Sequence, residues 1–171
     1  MNRLNILSLS AIAALGLALL PTGAVAQQKT LKEQLVGVWG LVTSDTIPPN
    51  GAKRQDVGAN PKGIMILDAG GRYAVVQGKP DRPKFKPGAN LRLDTPAAEY
   101  GEAARGFAAN LGSWSVNEAD KSLVRKYEIA LIPNNDNLES KAAVNLSGDD
   151  LKLVTVSPAG VRSETVYRRA K

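Results

Sequence analysis

The stretch KGIMILDAGGRYAVVQ, residues 62–77, has the pattern of a β-hairpin and decides the class of the fold. Its two halves, 62–67 and 72–77, are rich in isoleucine, valine, leucine and tyrosine, most of them residues that strands favour. The DAGG segment between them is a tight turn, because glycine accepts positive φ without a steric cost. The sequence therefore predicts antiparallel strands joined by short connections.

Six further segments carry a strand pattern, most of them separated by turns rich in proline, glycine, asparagine or aspartate. They lie at residues 35–44, 112–116, 122–132, 140–146, 151–157 and 161–169. A helix is predicted over 96–110, because Thr95 suits the N-cap, Pro96 the first helical position, and the apolar residues recur at helical spacing. Eight sequential strands favour an all-β fold, an eight-stranded antiparallel up-and-down barrel with one inserted helix. Such a barrel can hold one small ligand inside.

Residues 1–26 have the pattern of a secretory signal peptide. Arg3 precedes an apolar run over 4–20, and the AVA at 24–26 supplies a small-x-small cleavage site. A membrane anchor is the alternative, but a run of about 17 residues is short for a span of about 20. Cleavage leaves one domain, residues 27–171, with 21 basic and 16 acidic residues and a net charge of +5. We expect a periplasmic or secreted monomer without stable membrane insertion.

Composition excludes several kinds of chemistry. The 171 residues include no histidine and no cysteine, which removes Ser-His-Asp triads, cysteine nucleophiles, Cys/His zinc sites and disulfides. Basic residues are scattered and aromatic residues are few, which argues against nucleic-acid binding. The segment Asn134–Asn137 with Glu139 lacks the spacing of an EF-hand, so neither a metal nor a cofactor is expected.

Six short motifs occur in order along the chain: LVGVWGLVTS at 35–44, NPKGIMI with GGRY at 60–73, RPKF at 82–85, GFAANLGSWSV at 106–116, LSGD at 146–149 and YRR at 167–169. Together they resemble the bacterial lipocalin-like domain family. The resemblance covers nearly all of residues 35–169 and implies a calycin-type barrel with an inner cavity, but no particular substrate. Family members often carry histidine in the strand that matches 123–128. This chain has LVRKYE there, so histidine-dependent chemistry is not implied.

The resemblance also implies a structural pair. In calycin-type barrels a tryptophan of the first strand stacks under a basic side chain of the last strand, at the closed end. Trp39 and Arg169 occupy these positions, and guanidinium–indole stacking contributes about 0.5–2 kcal/mol. We interpret the pair as a marker of the fold, with a ligand contact as the alternative.

Arg125 and Tyr127 are the first candidate ligand-binding residues, because they alternate on one face with Leu123, Ile129 and Leu131. If this face points inward, the guanidinium of Arg125 needs an anionic partner. A ligand carboxylate or phosphate could supply it, and so could Glu128 if a bulge shifts the register. If the face points outward, Arg125 is solvated.

Two other groups are candidates for ligand contact. Arg82 and Phe85, with Lys84 and Lys86 beside them, lie in a proline-rich loop that either covers the barrel mouth or is a solvated, stiffened loop. Tyr73, Gln77 and Trp114 have an apolar body and a polar tip, which suits either a cavity wall or the core.

These residues favour a binding protein that holds an apolar, possibly anionic small molecule in the barrel. One alternative is an enzyme on the same barrel, of isomerase or cyclase type, using groups such as Glu128, Glu99, Tyr73, Tyr127 or Arg125. No two acids have the spacing of an acid–base pair, so no catalytic residue is assigned. A second alternative is a filled barrel that acts through its surface as an inhibitor or envelope scaffold.

Overall fold

The computed structural model describes residues 29–86 and 90–171, so the predicted signal peptide, residues 1–26, lies outside the described part. Two α-helices, one short 3-10 helix and eight strands follow in order. They are α1 (Leu31–Leu35), β1 (Gly37–Ile47), β2 (Lys62–Leu67), β3 (Arg72–Gly78), α2 (Ala97–Arg105), β4 (Phe107–Asn117), β5 (Ser122–Ala130), the 3-10 helix Pro133–Asn135, β6 (Glu139–Ser147), β7 (Asp150–Val156) and β8 (Arg162–Arg169).

The strands form one closed barrel in the order β1 to β8. Each strand pairs antiparallel with the next, and β8 pairs antiparallel with β1. The prediction of an eight-stranded antiparallel up-and-down barrel with an inserted helix is therefore confirmed. Closure gives every strand a partner on both sides, which removes the exposed edges that open sheets must protect.

The predicted helix over 96–110 is too long. Helix α2 ends at Arg105, and Phe107 begins β4, which pairs with β3 from Gly78↔Phe107 to Arg72↔Ser113. Alanine at 108 and 109 favours a helix locally, but this preference is small beside the ladder hydrogen bonds and packing that β3 offers. The sheet therefore takes the last four residues, 107–110, of the segment that the sequence assigned to the helix.

The end of the barrel next to α1 is closed and densely packed. Leu35 and Trp39 are fully buried, and the indole N–H of Trp39 donates to the carbonyl of Leu35 at 2.8 Å. Arg169 lies with its guanidinium carbon 4.1 Å from the centre of the Trp39 ring, as the resemblance implied. It also donates to the carbonyls of Val36 at 3.1 Å and Gln34 at 2.6 Å. Arg169 thus ties the last strand to the helix that seals this end.

A β-bulge in β5 sets which side chains enter the barrel. Leu111 pairs with Ile129 but the next residue, Gly112, pairs with Tyr127, so Glu128 is the extra residue on β5. The bulge brings the β5 backbone very close to Gly112, where a Cβ would lie 2.0 Å from the carbonyl oxygen of Lys126. Only glycine fits at this position without displacing the strand.

Because of the bulge, the five side chains that the sequence placed on one face of β5 do not all point the same way. Arg125 and Tyr127 lie on the inside with Leu123, as one reading of the alternation predicted. Beyond the bulge the alternation is inverted, and Ile129 is 56% exposed and Leu131 38% exposed on the outside. The expectation that all five share one face is therefore wrong past Tyr127.

Candidate functional site

A cavity of about 340 Å³ lies inside the barrel, at the end away from α1. Most of its wall comes from the inward side chains of seven strands, and its mouth from the β1–β2 connection and the junction of α2 with β4. Residues of the mouth are Asp56, Val57, Arg105 and Phe107. The barrel is therefore filled at one end and hollow at the other.

The wall of the cavity is rich in hydroxyl groups. Six serine and threonine side chains line it, together with two tyrosines and two amides, while Val75 and Leu153 are among the few aliphatic residues. The hydroxyl-bearing residues are Ser44, Thr46, Ser140, Thr155, Ser163 and Thr165, with Tyr127 and Tyr167. Ligand sites are ordinarily lined mostly by apolar and aromatic side chains with a few polar groups. This cavity wall is more polar than a mostly apolar ligand of the predicted kind requires.

Arg125 is the charged residue in the interior wall. Its Nε is buried without a hydrogen-bond partner, and within residues 29–86 and 90–171 no carboxylate oxygen lies within 4.0 Å of its guanidinium. The guanidinium carbon is 5.8 Å from the centre of the Tyr73 ring, which gives it a weak cation–π contact. A guanidinium in a protein interior is unfavourable unless it is paired, so this site has the chemistry to attract an anion.

Two tyrosines lie beside Arg125. Tyr73 packs edge-on against Tyr127 with ring centres 6.4 Å apart, and the Tyr73 hydroxyl is buried without a partner in the described chain. Burial raises the pKa of Tyr73 and of Tyr167, although the positive charge of Arg125 acts in the opposite direction on both. The Tyr73 and Tyr167 phenols are therefore neutral at physiological pH; Tyr167 lines the cavity, whereas Tyr73 belongs to the buried core beside it.

Glu128 does not pair with Arg125. It lies at the bulge on the outside of the barrel, where both its oxygens accept hydrogen bonds from the guanidinium of Arg72. This hydrogen bonding lowers the pKa of Glu128. The sequence-based idea of Glu128 as an inner acid is thus wrong: the bulge exists, but it turns the carboxylate outward.

The other acids of the described chain do not reach the inner part of the cavity, and Asp45, which is buried on β1, is paired with Lys53 at 2.8 Å. Glu99 lies on α2, where it accepts a hydrogen bond from the backbone of Lys86. Asp56 lines the cavity only at its mouth, where it is exposed and 3.7 Å from Arg54. A buried carboxylate without a basic partner would have favoured catalysis, and the described part of the cavity wall contains none.

The proline-rich loop lies beside the mouth rather than in the wall. Arg82 stacks on Phe107, with its guanidinium carbon 4.6 Å from the ring centre, and Phe85 packs on Tyr100 at 4.9 Å. Of these residues only Phe107 lines the cavity. Arg82 therefore contacts only Phe107 of the cavity lining and does not itself line the cavity, and Phe85 does not line it either.

The remaining candidates divide between wall and core. Gln77 lines the cavity, whereas Trp114 is buried in the packed end and donates its indole N–H to the carbonyl of Asp68 at 3.0 Å. Sequence reasoning missed Asn110, because it lay in the predicted helix, and missed the hydroxyl-bearing wall. The alternation of Ser163, Thr165 and Tyr167 along β8 was a usable signal for that wall.

The closed meander of eight strands and the stacking of Arg169 on Trp39 are the two features that the resemblance to calycin-type barrels implied. No family model matches the chain, and no curated protein does either, so membership of the bacterial lipocalin-like family stays a prediction.

One similar solved structure is a redesigned beta barrel, with 12% sequence identity and a TM-score of 0.41; the match covers 82% of this chain and 96% of the other. Another is a de novo designed fluorescence-activating beta barrel, with 10% identity and a TM-score of 0.42; the match covers 84% of this chain and 100% of the other. A mutant of the fluorescent protein UnaG is also similar, with 16% identity and a TM-score of 0.37; the match covers 81% of this chain and 97% of the other. At these values the likeness carries no argument about ligand or function.

Proposed function

We propose that this protein is a small-molecule-binding barrel that holds an anionic ligand in its cavity, with the acid group of the ligand on Arg125. The observation that carries the proposal is the buried, unpartnered Nε of Arg125 on the cavity wall. A carboxylate or phosphate can accept two parallel hydrogen bonds from a guanidinium, and Tyr127 on the same strand lines the cavity beside that group. Binding would thus give the buried Nε of Arg125 a hydrogen-bond partner.

The volume of the cavity limits the size of the ligand. An apolar cavity of about 150 Å³ holds one benzene molecule, and the volume here is about 340 Å³. The ligand is therefore a ring with a short chain, or a medium-length chain, rather than a long lipid enclosed whole. Val75 and Leu153 offer contact for an apolar body, while the hydroxyl-rich wall favours a ligand with further polar atoms.

We further propose that the protein belongs to the bacterial lipocalin-like family and works in the periplasm or outside the cell as residues 27–171. Support for the family comes from the six motifs in order, and support for the compartment from the signal-peptide pattern of residues 1–26. N-terminal sequencing of the protein recovered from periplasm and medium tests the compartment. A start at Gln27 supports it, and an intact Met1 in the cytoplasm contradicts it.

The binding proposal is tested by native mass spectrometry of residues 27–171 and by titration with octanoate and with the neutral alcohol 1-octanol. Arg125→Leu should weaken octanoate binding by about 10–100-fold, since a hydrogen bond to a charged group contributes about 1.5–3 kcal/mol. It should change octanol binding much less. Lys126→Leu is the matched control, because it removes the same charge from the next residue, whose side chain is exposed. Equal losses for acid and alcohol, or equal effects of the two variants, would contradict the proposal.

A further inference from the structure

A pair of unsatisfied polar groups also lies in the cavity, on different strands from Arg125. Gln77 on β3 and Asn110 on β4 both line the cavity, and their side-chain oxygens are buried without a hydrogen-bond partner in the described chain. A buried amide oxygen without a hydrogen-bond partner is unfavourable, so proteins seldom retain one without a use. Two of them in one cavity indicate a second point of ligand contact.

The register of the sheet places this pair nearer the mouth than Arg125. The guanidinium of Arg125 lies at the level of Tyr73, which pairs with Gly112 on β4. Asn110 pairs with Val75, which is two residues, or one inward-facing position, closer to the mouth than Tyr73. That step is about 7 Å, since each strand residue advances about 3.4 Å. Gln77 lies one further step along β3. A ligand whose acid group sits on Arg125 therefore passes Asn110 first and Gln77 next.

The chemistry of the two ends is complementary. Arg125 is a donor that needs an acceptor, whereas the orphaned atoms of Gln77 and Asn110 are acceptors that need a donor. Val75 and Ala108, the residues opposite Asn110 and Gln77 on the neighbouring strand, have aliphatic side chains that cannot supply one. Among the described residues no donor lies within hydrogen-bond distance of either oxygen, and a donor on the ligand would satisfy them.

We propose that the ligand is an acid that also carries a hydrogen-bond donor a few bonds from its carboxylate, such as a hydroxy acid or an N-acyl amino acid. This inference rests on the proposed function, because it takes the acid group to be on Arg125. It adds that Gln77 and Asn110 distinguish such ligands from plain fatty acids, which leave both amides unpaired.

The test compares octanoate with the two enantiomers of 3-hydroxyoctanoate by calorimetric titration of residues 27–171. One enantiomer should bind the wild-type protein at least about tenfold more tightly than octanoate, because it satisfies a buried acceptor that octanoate leaves unpaired. Gln77→Met and Asn110→Leu, which keep the side-chain size, should together abolish that preference, so that octanoate and both hydroxy acids bind the double variant equally tightly. Lys126→Leu is again the control and should keep the preference.

The two proposals fail in different ways. Equal affinities of wild-type protein for octanoate and both hydroxy acids, all reduced by Arg125→Leu, would overturn the role of Gln77 and Asn110 and leave the binding function intact. Acids that bind without any dependence on Arg125, or none that bind, would overturn the proposed function. The comparison of ligands on the wild-type protein keeps the test decisive even if a variant fails to fold.

Discussion

Replacing Arg125 with methionine is expected to make the ligand-free protein more stable while it removes the affinity for acids. The side chain is one of the few interior groups whose polar atom finds no partner within the described residues. Methionine has a similar length, carries no charge and adapts to irregular space. Stability and function should therefore change in opposite directions at this position, as they do where a site holds a group for its ligand rather than for the fold.

The magnitude follows from two opposing contributions. An unpaired buried polar group costs about 1–3 kcal/mol. The contact of the guanidinium with Tyr73, at 5.8 Å, returns about 0.5–1 kcal/mol. The net gain in the free energy of unfolding is then about 1 kcal/mol, which corresponds to a rise in Tm of about 3 °C for a chain of this length.

Arg169→Met is the matched comparison, because the same change is made at an arginine that the fold uses. Arg169 stacks on Trp39 at 4.1 Å and donates to the carbonyls of Gln34 and Val36. Loss of these contacts from a partly exposed side chain should lower the free energy of unfolding by about 2–4 kcal/mol. Urea denaturation followed by tryptophan fluorescence, with calorimetry for Tm, measures both variants.

The reasoning is refuted if Arg125→Met destabilises the ligand-free protein as Arg169→Met does. That result would mean that Arg125 has a structural partner and that its unpaired state is not a feature of the binding site. The stability has to be measured on protein unfolded and refolded without ligand, because a bound acid stabilises only the wild-type protein.

Three further predictions concern the fold. Gly112→Ala should destabilise the barrel by about 2–3 kcal/mol in urea denaturation, because its Cβ meets the Lys126 carbonyl; unchanged stability would mean that the bulge is loosely held. Leu35→Ala should cost about 2–5 kcal/mol, since Leu35 is fully buried under the closed end, and a loss below 1 kcal/mol in the same assay would show that α1 does not seal it. Burial raises the pKa of Tyr167 above its value of about 10 in the unfolded chain. Above pH 10 the unfolded chain therefore loses this proton first, so the free energy of unfolding should fall as the pH rises, and it should fall less in Tyr167→Phe. Identical pH profiles of the urea midpoints of the two proteins would contradict this.

The sequence predicted the barrel because its strands are bounded by clear turn residues and alternate locally. The hairpin at 62–77 occurs where the pattern predicted it, and Trp39 pairs with Arg169 as the family resemblance implied. Local information failed at the start of β4, where alanines favour a helix and only pairing with the distant strand β3 selects a strand. Long-range pairing of this kind leaves no trace in a single short window of sequence.

The candidate site was predicted in part, for a related reason. Inward and outward faces alternate along a strand, so one extra residue inverts every position after it. The bulge at Glu128 did this to β5, and no residue nearby signals it except Gly112, which lies on another strand. Arg125 precedes the bulge and could be placed correctly, whereas Ile129 follows it and could not.

The uneven filling of the barrel has a consequence for motion. All of the largest fully buried side chains belong to the end that α1 seals, among them Leu35, Trp39 and Met65, while the other end encloses the cavity. Segments with few buried contacts open locally at a lower free energy than the rest of a protein. Amide hydrogen exchange should therefore be slow near Trp39, where it requires global unfolding, and faster around Asn110. In the proposed function, this loosely packed end is where a ligand would enter, while the sealed end would keep the barrel folded.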